Sequence, residues 1–379
     1  EAFAIGLCDE VTDGDIREAT IAAARKLIGK MQARLSVRAP PLPDSGAWEA
    51  MVQRVRKEAR GRIAPLRAIE LVGLTLTSPY AIGAPAERRA FLDLMASAQS
   101  RALRHVFFAE RAIRKVPGLA HVAPRPLQTI GIVGSGVTGT GIAASLLEHG
   151  CRVVLVETGE AALQTGRERL AALMARAIRA GRIPDARRAE IASHVTFSGD
   201  PADLARCDLV IEAIFDDLAI KSDLLKKLET ILGKDTLIAS SSAQIDLQIL
   251  ADTLRHPERF FGLHFFAPAP LMRLVEIARP RLTAPEAIAS ALDLARRLDK
   301  FGIVCGISDG LIGNRLFGKF RAQCEFMLEE GALPSEIDQA LESFGLAVGP
   351  FAAQDIAGLD IAWTRRKRHA ETRNATIRD

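Results

Sequence analysis

Between residues 129 and 266 short apolar, β-branched runs alternate with longer stretches of helical period. The runs are TIGIVG (129–134), RVVLVE (152–157), HVTFS (194–198), DLVIEAIF (208–215), TLIAS (236–240) and FFGLHFF (260–266). Runs this short, apolar almost throughout and separated by amphipathic stretches, predict strands covered on both faces, hence a doubly wound parallel sheet. LVEIA (274–278) reads as a further strand, joined to FFGLHFF by a proline-bearing loop. On either side of this region the apolar period is that of helices.

Four regions follow. Residues 1–46 read as a loop, a helix in DIREATIAAARKLIGKMQARL, and a proline-rich spacer VRAPPLPDSG (37–46) that cannot hold a helix. Residues 47–126 read as helices, with ERRAFLDLMASAQSRALRHVFFAERAIRKV as one long amphipathic element, and the proline-bearing VPGLAHVAPRPLQ (116–128) marks a boundary. Residues 127–307 form the alternating α/β region. After FGIVCGISDG (301–310) the chain turns helical again, so residues 308–379 read as an all-helical domain.

The chain has 379 residues, 48% hydrophobic, enough for more than one core. With 50 basic and 46 acidic side chains its net charge of +4 makes no electrostatic case for nucleic acid. Five cysteines, scattered and without a CxxC, point to a reducing compartment. No apolar run has the length of a membrane span and no signal peptide is visible. Glu1 in place of a methionine suggests a piece of a longer protein. His105 and His121 have no partners at ligand spacing, so no metal site is expected.

The first candidate site is Gly134-Ser135-Gly136-Val137-Thr138-Gly139, between a strand and a helix. Gly134 permits the tight turn, Gly136 lets backbone approach a pyrophosphate, and Gly139 lets the helix pack on the strand, its N-terminus attracting the negative charge. Glu157, eighteen residues beyond Gly139, ends the next strand, where a carboxylate accepts from ribose hydroxyls and repels a 2′-phosphate. NAD is therefore favoured over NADP. A ligand-free glycine turn is the alternative; the strand before, the helix after and the acid at this distance weigh against it.

The second is GLHFFAPAPLMRLVEI (262–277), in which His264 and Glu276 lie in otherwise apolar runs. Oxidising an alcohol requires removal of its proton as hydride leaves carbon, a task suited to an imidazole titrating near about 6.5. A buried carboxylate on the other ring nitrogen would fix its tautomer. On spacing alone, a satisfied core histidine and an unrelated glutamate fit as well.

The stretch around His264 resembles the catalytic segment of the 3-hydroxyacyl-CoA dehydrogenases, which run His-Phe-Phe-Asn/Ser-Pro. DLVIEAIFDDLAIKSDLLKKLE, IASSSAQIDL, SDGLIGNRLF and LPSEIDQALESFGLAVGPFAAQDIAGLDIAW resemble other segments of that family in the same order. EAFAIGLCDEVTDGDIREATIAAARKL is similar to the end of a crotonase (enoyl-CoA hydratase/isomerase) fold, and SAQSRALRHVFFAERAIRKV to the linker helix of multifunctional fatty-acid β-oxidation enzymes. The resemblance implies a Rossmann-type sheet followed by a helical domain, preceded by a crotonase remnant without hydratase activity. It implies NAD as cofactor and oxidation of a 3-hydroxyacyl-CoA to the 3-ketoacyl-CoA. A thiolase or a second copy would be the protein partner. The location would be the cytoplasm of a bacterial-type cell, with the peroxisome also open.

Carried residue by residue, the resemblance makes His264 the general base and Glu276 its orienting partner. Asn314 would hydrogen-bond near the reacting oxygen. Asp216 stands for a family glutamate near the nicotinamide, and Lys221 for a lysine on the substrate and cofactor side. The family's Asn-Thr-Ser-Ser is here Ser241-Ser242-Ala243-Gln244, and the position after Phe266 is Ala267. Ser242, or Ser241, would supply part of the hydrogen bonding to substrate that a methyl group at Ala243 cannot. Each missing hydrogen bond is worth about 0.5–1.5 kcal/mol, so the two alanines predict a deficit on the order of ten- to a few-hundred-fold. Two further readings remain: a non-catalytic NAD- or CoA-binding module, and an NAD dehydrogenase with a different hydroxyacyl substrate.

Overall fold

The computed structural model describes residues 2–5, 8, 10–30, 36 and 44–357. Most of the proline-rich spacer and everything beyond residue 357, including the basic run TRRKRHAETR (364–373), lie outside the described residues. The chain divides into two compact units, residues 1–104 with 343–345, and residues 105–342 with 346–379.

The first unit is helical: α1 (Ile16–Leu27), α2 (Ser45–Ala59), α3 (Ile63–Thr77), α4 (Tyr80–Ala96) and the start of α5 (Ala98–Ala112), which runs on into the second. Asp15 caps α1, accepting from Arg17 N–H and Glu18 N–H. Gly73 of α3 lets that helix close on Trp48 of α2, since a Cβ there would lie 3.1 Å from the indole. The single long helix expected over residues 87–116 is broken at Ser97, which is extended (φ −64°, ψ 154°). Its hydroxyl donates to Leu94 O (2.6 Å) and accepts from Ser100 N–H (3.1 Å), ending one helix and starting the next.

The second unit is built on one eight-stranded sheet. In chain order its elements are β1 (Thr129–Val133), α6 (Val137–Glu148), β2 (Arg152–Val156), α7 (Glu160–Arg179), α8 (Arg188–Ser193), β3 (Val195–Ser198), β4 (Leu209–Glu212) and α9 (Leu218–Ile231). There follow β5 (Leu237–Ser240), α10 (Leu247–Asp252), β6 (Phe260–Phe265), β7 (Leu274–Ala278), α11 (Pro285–Arg297), β8 (Phe301–Cys305), α12 (Gly313–Glu329), α13 (Pro334–Phe344) and α14 (Pro350–Ala357). The strand order is β3-β2-β1-β4-β5-β6-β7-β8.

The strands alternate their faces as a doubly wound sheet requires. Ile130, Ile132, Leu209, Ile211, Leu237 and Ala239 join Ile142, Leu146, Leu163, Leu170 and Ile288 in one cluster, under α6, α7 and α11. Val133, Val210 and Ile238 face the other way, against Leu225, Leu228, Leu247 and Leu250 of α9 and α10. The residues of both clusters are buried, so the sheet is covered on both sides.

Two features depart from the expected all-parallel sheet. The six strands from β3 to β6 are parallel, but β7 pairs antiparallel with β6, and β8 then runs parallel to β7. Residues 266–273 are too few for the crossover that a parallel neighbour needs, about a dozen or more residues, so the chain must turn back. FGIVC, which was not among the runs read as strands, forms the edge strand β8.

Candidate active site

The antiparallel register places His264 directly opposite Glu276. Their side chains share one face, and His264 Nδ1 lies 2.7 Å from Glu276 Oε2. Glu276 is 1% exposed, and its other oxygen accepts from Ile312 N–H (2.9 Å) and Gly313 N–H (2.8 Å) at the N-terminus of α12. Burial pushes the Glu276 carboxyl up, but the hydrogen bonds from His264, Gly313 and Ile312 outweigh it and hold the group below its ordinary value. With Glu276 ionised, Nδ1 must carry the ring proton, and Nε2 is left as an acceptor.

The turn before α12 is built to aim those two amides. Gly310 (φ 72°) and Leu311 (φ 50°) are both left-handed. For leucine this costs about 1–2 kcal/mol, a strain held by a side chain that is 1% exposed. Gly310 N–H donates to Ala243 O (2.8 Å), tying the turn to the segment after β5. Gly313 was missed by the sequence reading. A Cβ there would lie 2.4 Å from the Phe266 ring, which itself meets the His264 ring edge-on at a 4.6 Å centroid separation. Any side chain at 313 would therefore disturb the phenyl and the amide on Glu276 together. Asn314, the next residue, is half-buried, and its amide makes no hydrogen bond among the described residues.

Lys300 was missed as well. It is 8% exposed, and its ammonium donates to Ala269 O (2.6 Å) and Met272 O (2.8 Å), pinning the loop that separates His264 from Glu276. Burial lowers its pKa. Ala269 packs on α6, where a Cβ at Gly141 would lie 3.5 Å from its own. Ala267 is exposed in the same loop. Cys305, at the end of β8, offers no rival nucleophile: burial, with the charge of Glu276 second, pushes its thiol up to about 11.

The glycine loop has the geometry its spacing implies. Gly134 has φ 106°, and a Cβ on it would lie 2.7 Å from Ala213 O. A Cβ on Gly139 would lie 1.9 Å from Gly134 O, so the first turn of α6 closes on the loop only because it has none. A Cβ on Gly136 would meet nothing within 4 Å, which leaves open space before the helix N-terminus. That cradle fits a dinucleotide pyrophosphate. Glu157 follows β2; its Oε2 accepts from Ser135 N–H (3.0 Å) and its Oε1 from Thr158 N–H (3.1 Å).

Two expected contact residues are engaged elsewhere. Lys221 is fully buried on α9, its ammonium bonded to Glu212 and to Ile214 O (3.0 Å), with Asp216 Oδ1 3.5 Å away. Expected on the substrate and cofactor side, it instead anchors the β4–α9 loop that carries Asp216, whose side chain remains 28% exposed. Glu212, unread in the sequence, also accepts from Ile214 N–H (2.8 Å) and Ser240 Oγ (2.7 Å). Ser242 is 5% exposed, and its Oγ accepts from Gln244 N–H (3.2 Å) and Ile245 N–H (3.3 Å). Its own proton is what remains for a substrate.

A Rossmann-type sheet with a glycine cradle at one end of β1 and an imidazole–carboxylate pair on β6 and β7 is the framework of an NAD-dependent dehydrogenase. The profile of the 3-hydroxyacyl-CoA dehydrogenase NAD-binding domain matches residues 129–308, and that of the family's C-terminal domain matches residues 310–378. The (S)-3-hydroxybutyryl-CoA dehydrogenase PaaH1 of Ralstonia eutropha is 34% identical, with a TM-score of 0.58, over 62% of this chain and 84% of that one. The peroxisomal bifunctional enzyme of Danio rerio is 36% identical over 98% of this chain and 52% of its own length. The human peroxisomal bifunctional enzyme is 30% identical over 97% and 52%. This chain belongs to the 3-hydroxyacyl-CoA dehydrogenase family, and its cofactor is NAD. It spans about half the length of these curated relatives.

The Glu276 carboxylate has a pH signature. Because the folded pKa of Glu276 is lowered, its stabilisation is present above the ordinary value of 4.5 and lost as pH falls through the folded one. Glu276→Gln is expected to flatten that acid limb, read as the pH dependence of the urea midpoint by circular dichroism. An unchanged slope would remove Glu276 as the source.

Proposed function

We propose that this chain oxidises the 3-hydroxyl of a 3-hydroxyacyl-CoA to the ketone, in fatty-acid β-oxidation. The observation that carries the reading is His264: Nδ1 is committed to a buried carboxylate held by two helix amides, and Nε2 is left to take the hydroxyl proton. Glu276 stabilises the imidazolium so formed, and the α12 amides keep Glu276 charged. Asn314, the second residue of α12, would hydrogen-bond the reacting oxygen. NAD, when bound, supplies the hydride acceptor. Gly134, Gly136 and Gly139 would cradle its pyrophosphate, Glu157 would accept from its adenosine ribose, and Asp216 would stand at its nicotinamide end, on a loop anchored by Lys221.

The boundaries at residues 126/127 and 307/308 would then separate a linker, a cofactor domain and a substrate-closing helical domain. A 3-ketoacyl-CoA product is a substrate for thiolysis, which is the support for a thiolase as partner. The two bifunctional relatives are peroxisomal, and all five cysteines here are free thiols, which supports a reducing compartment.

The test is NADH formation, followed by absorbance, with 3-hydroxybutyryl-CoA and a longer 3-hydroxyacyl-CoA against free 3-hydroxy acids. Turnover restricted to the thioesters supports the reading. NAD binding without turnover would favour the non-catalytic module, for which Ala243 and Ala267 are the specific observations. Ala243→Ser and Ala267→Asn are each expected to raise kcat about two- to ten-fold, the worth of one hydrogen bond at the reacting centre. No gain from either would show that the pocket works without those contacts.

A further inference from the structure

Ser135 stands between the first two glycines of the loop and is 2% exposed. Its N–H and its hydroxyl both reach Glu157 Oε2, at 3.0 and 3.2 Å, and the hydroxyl also lies 2.9 Å from Ala162 O. From the far side α7 closes on it. A Cβ on Gly166 would lie 2.5 Å from the Ser135 Cβ, and Arg169 Nη1 donates to Ser135 O at 3.0 Å. The dinucleotide cradle needs only backbone at this position. Here the side chain is buried, held on three sides, and bonded to the one carboxylate that would read the ribose.

We propose that Ser135 is a specificity-determining residue for the cofactor: it locks the Glu157 carboxylate in the orientation that accepts the ribose hydroxyls and stops it rotating aside to admit a 2′-phosphate. The inference rests on the reading of Glu157 as the ribose acceptor. A hydroxyl has one proton, and Ser135 has two acceptors for it. That proton stays on Glu157 Oε2 beside the Ser135 N–H, so two donors hold this oxygen, and Oε1, which accepts from Thr158 N–H, is left to take the ribose hydroxyls. The lock takes no contact from NAD. A 2′-phosphate would meet a fixed negative charge, and repulsion then acts in full.

The test is calorimetric titration of the whole chain with NAD and with NADP, comparing wild type, Ser135→Ala and Glu157→Ala, with steady-state kinetics alongside. Ser135→Ala keeps the Cβ seated against Gly166, and Ser135→Gly is a second removal of the same hydroxyl. Ser135→Ala is expected to raise the Kd for NAD about three- to ten-fold and to narrow the gap between NAD and NADP by a similar factor. A general loosening of the loop would weaken both cofactors equally, so the ratio is the deciding quantity. If Glu157→Ala weakens NAD while the Ser135 variants leave Kd and ratio unchanged, Ser135 is not the lock and the ribose reading stands. If Glu157→Ala itself changes neither Kd, the ribose reading falls, and this inference with it.

Discussion

His264→Gln is expected to lower kcat by about 10²–10⁴-fold, the range a positioned general base contributes, with the Kd for NAD unchanged. Glutamine keeps an amide N–H that can reach Glu276 and approximates the imidazole's reach, but it cannot take a proton. The separation is structural: His264 is on β6, whereas the glycine cradle joins β1 to α6 and Glu157 directly follows β2. A variant that lost NAD affinity along with kcat would show that His264 also shapes the cofactor pocket. A variant that kept its kcat would end the general-base assignment outright.

The largest expected effect on stability is at Lys221. Lys221→Met should cost about 3–5 kcal/mol, because it leaves Glu212 charged and buried without its cation. Both side chains are wholly inside the sheet's core region, and Glu212 would keep only Ile214 N–H and Ser240 Oγ. The pair itself is a poor source of net stability. Lys221→Met combined with Glu212→Leu should therefore recover much of the loss. Urea unfolding of the two single variants and the double one gives the coupling directly. Single variants close to wild type would mean that water reaches the pair. The same cycle read as Kd for NAD asks whether the Asp216 loop moves when its anchor is gone.

The elements of this fold were legible where local backbone demands a residue type. The three glycines of the cradle are each required by a turn, an approach or a contact within the same thirty or so residues, so spacing alone reveals them. His264 and Glu276 stood out as ionisable groups in apolar runs. Glu212 carried the same signal in DLVIEAIF and went unread, because its partners lie nine and twenty-eight residues away and no motif joins them. Lys221 was read as a lysine on the substrate and cofactor side, since burial of an amine is a property of the assembled sheet that pattern does not show. Gly313 and Lys300 act on Phe266 and on the loop after it from distant parts of the chain, and pattern has no access to such contacts. The reversal at β7 was legible in principle from the short loop before it. The break at Ser97 was not, because helix-forming residues continue across it and a single hydroxyl decides the matter.

The direct pairing of His264 with Glu276 across an antiparallel ladder makes their relationship a counting rule. The two side chains meet because the strands are in one register, and a slip by a single residue would send one of them to the opposite face of the sheet. The distance between base and partner thus has no gradual setting: the ladder either closes with them together or closes wrongly. The imidazole–carboxylate pair is therefore as fixed as the hydrogen bonds of the sheet that carries it.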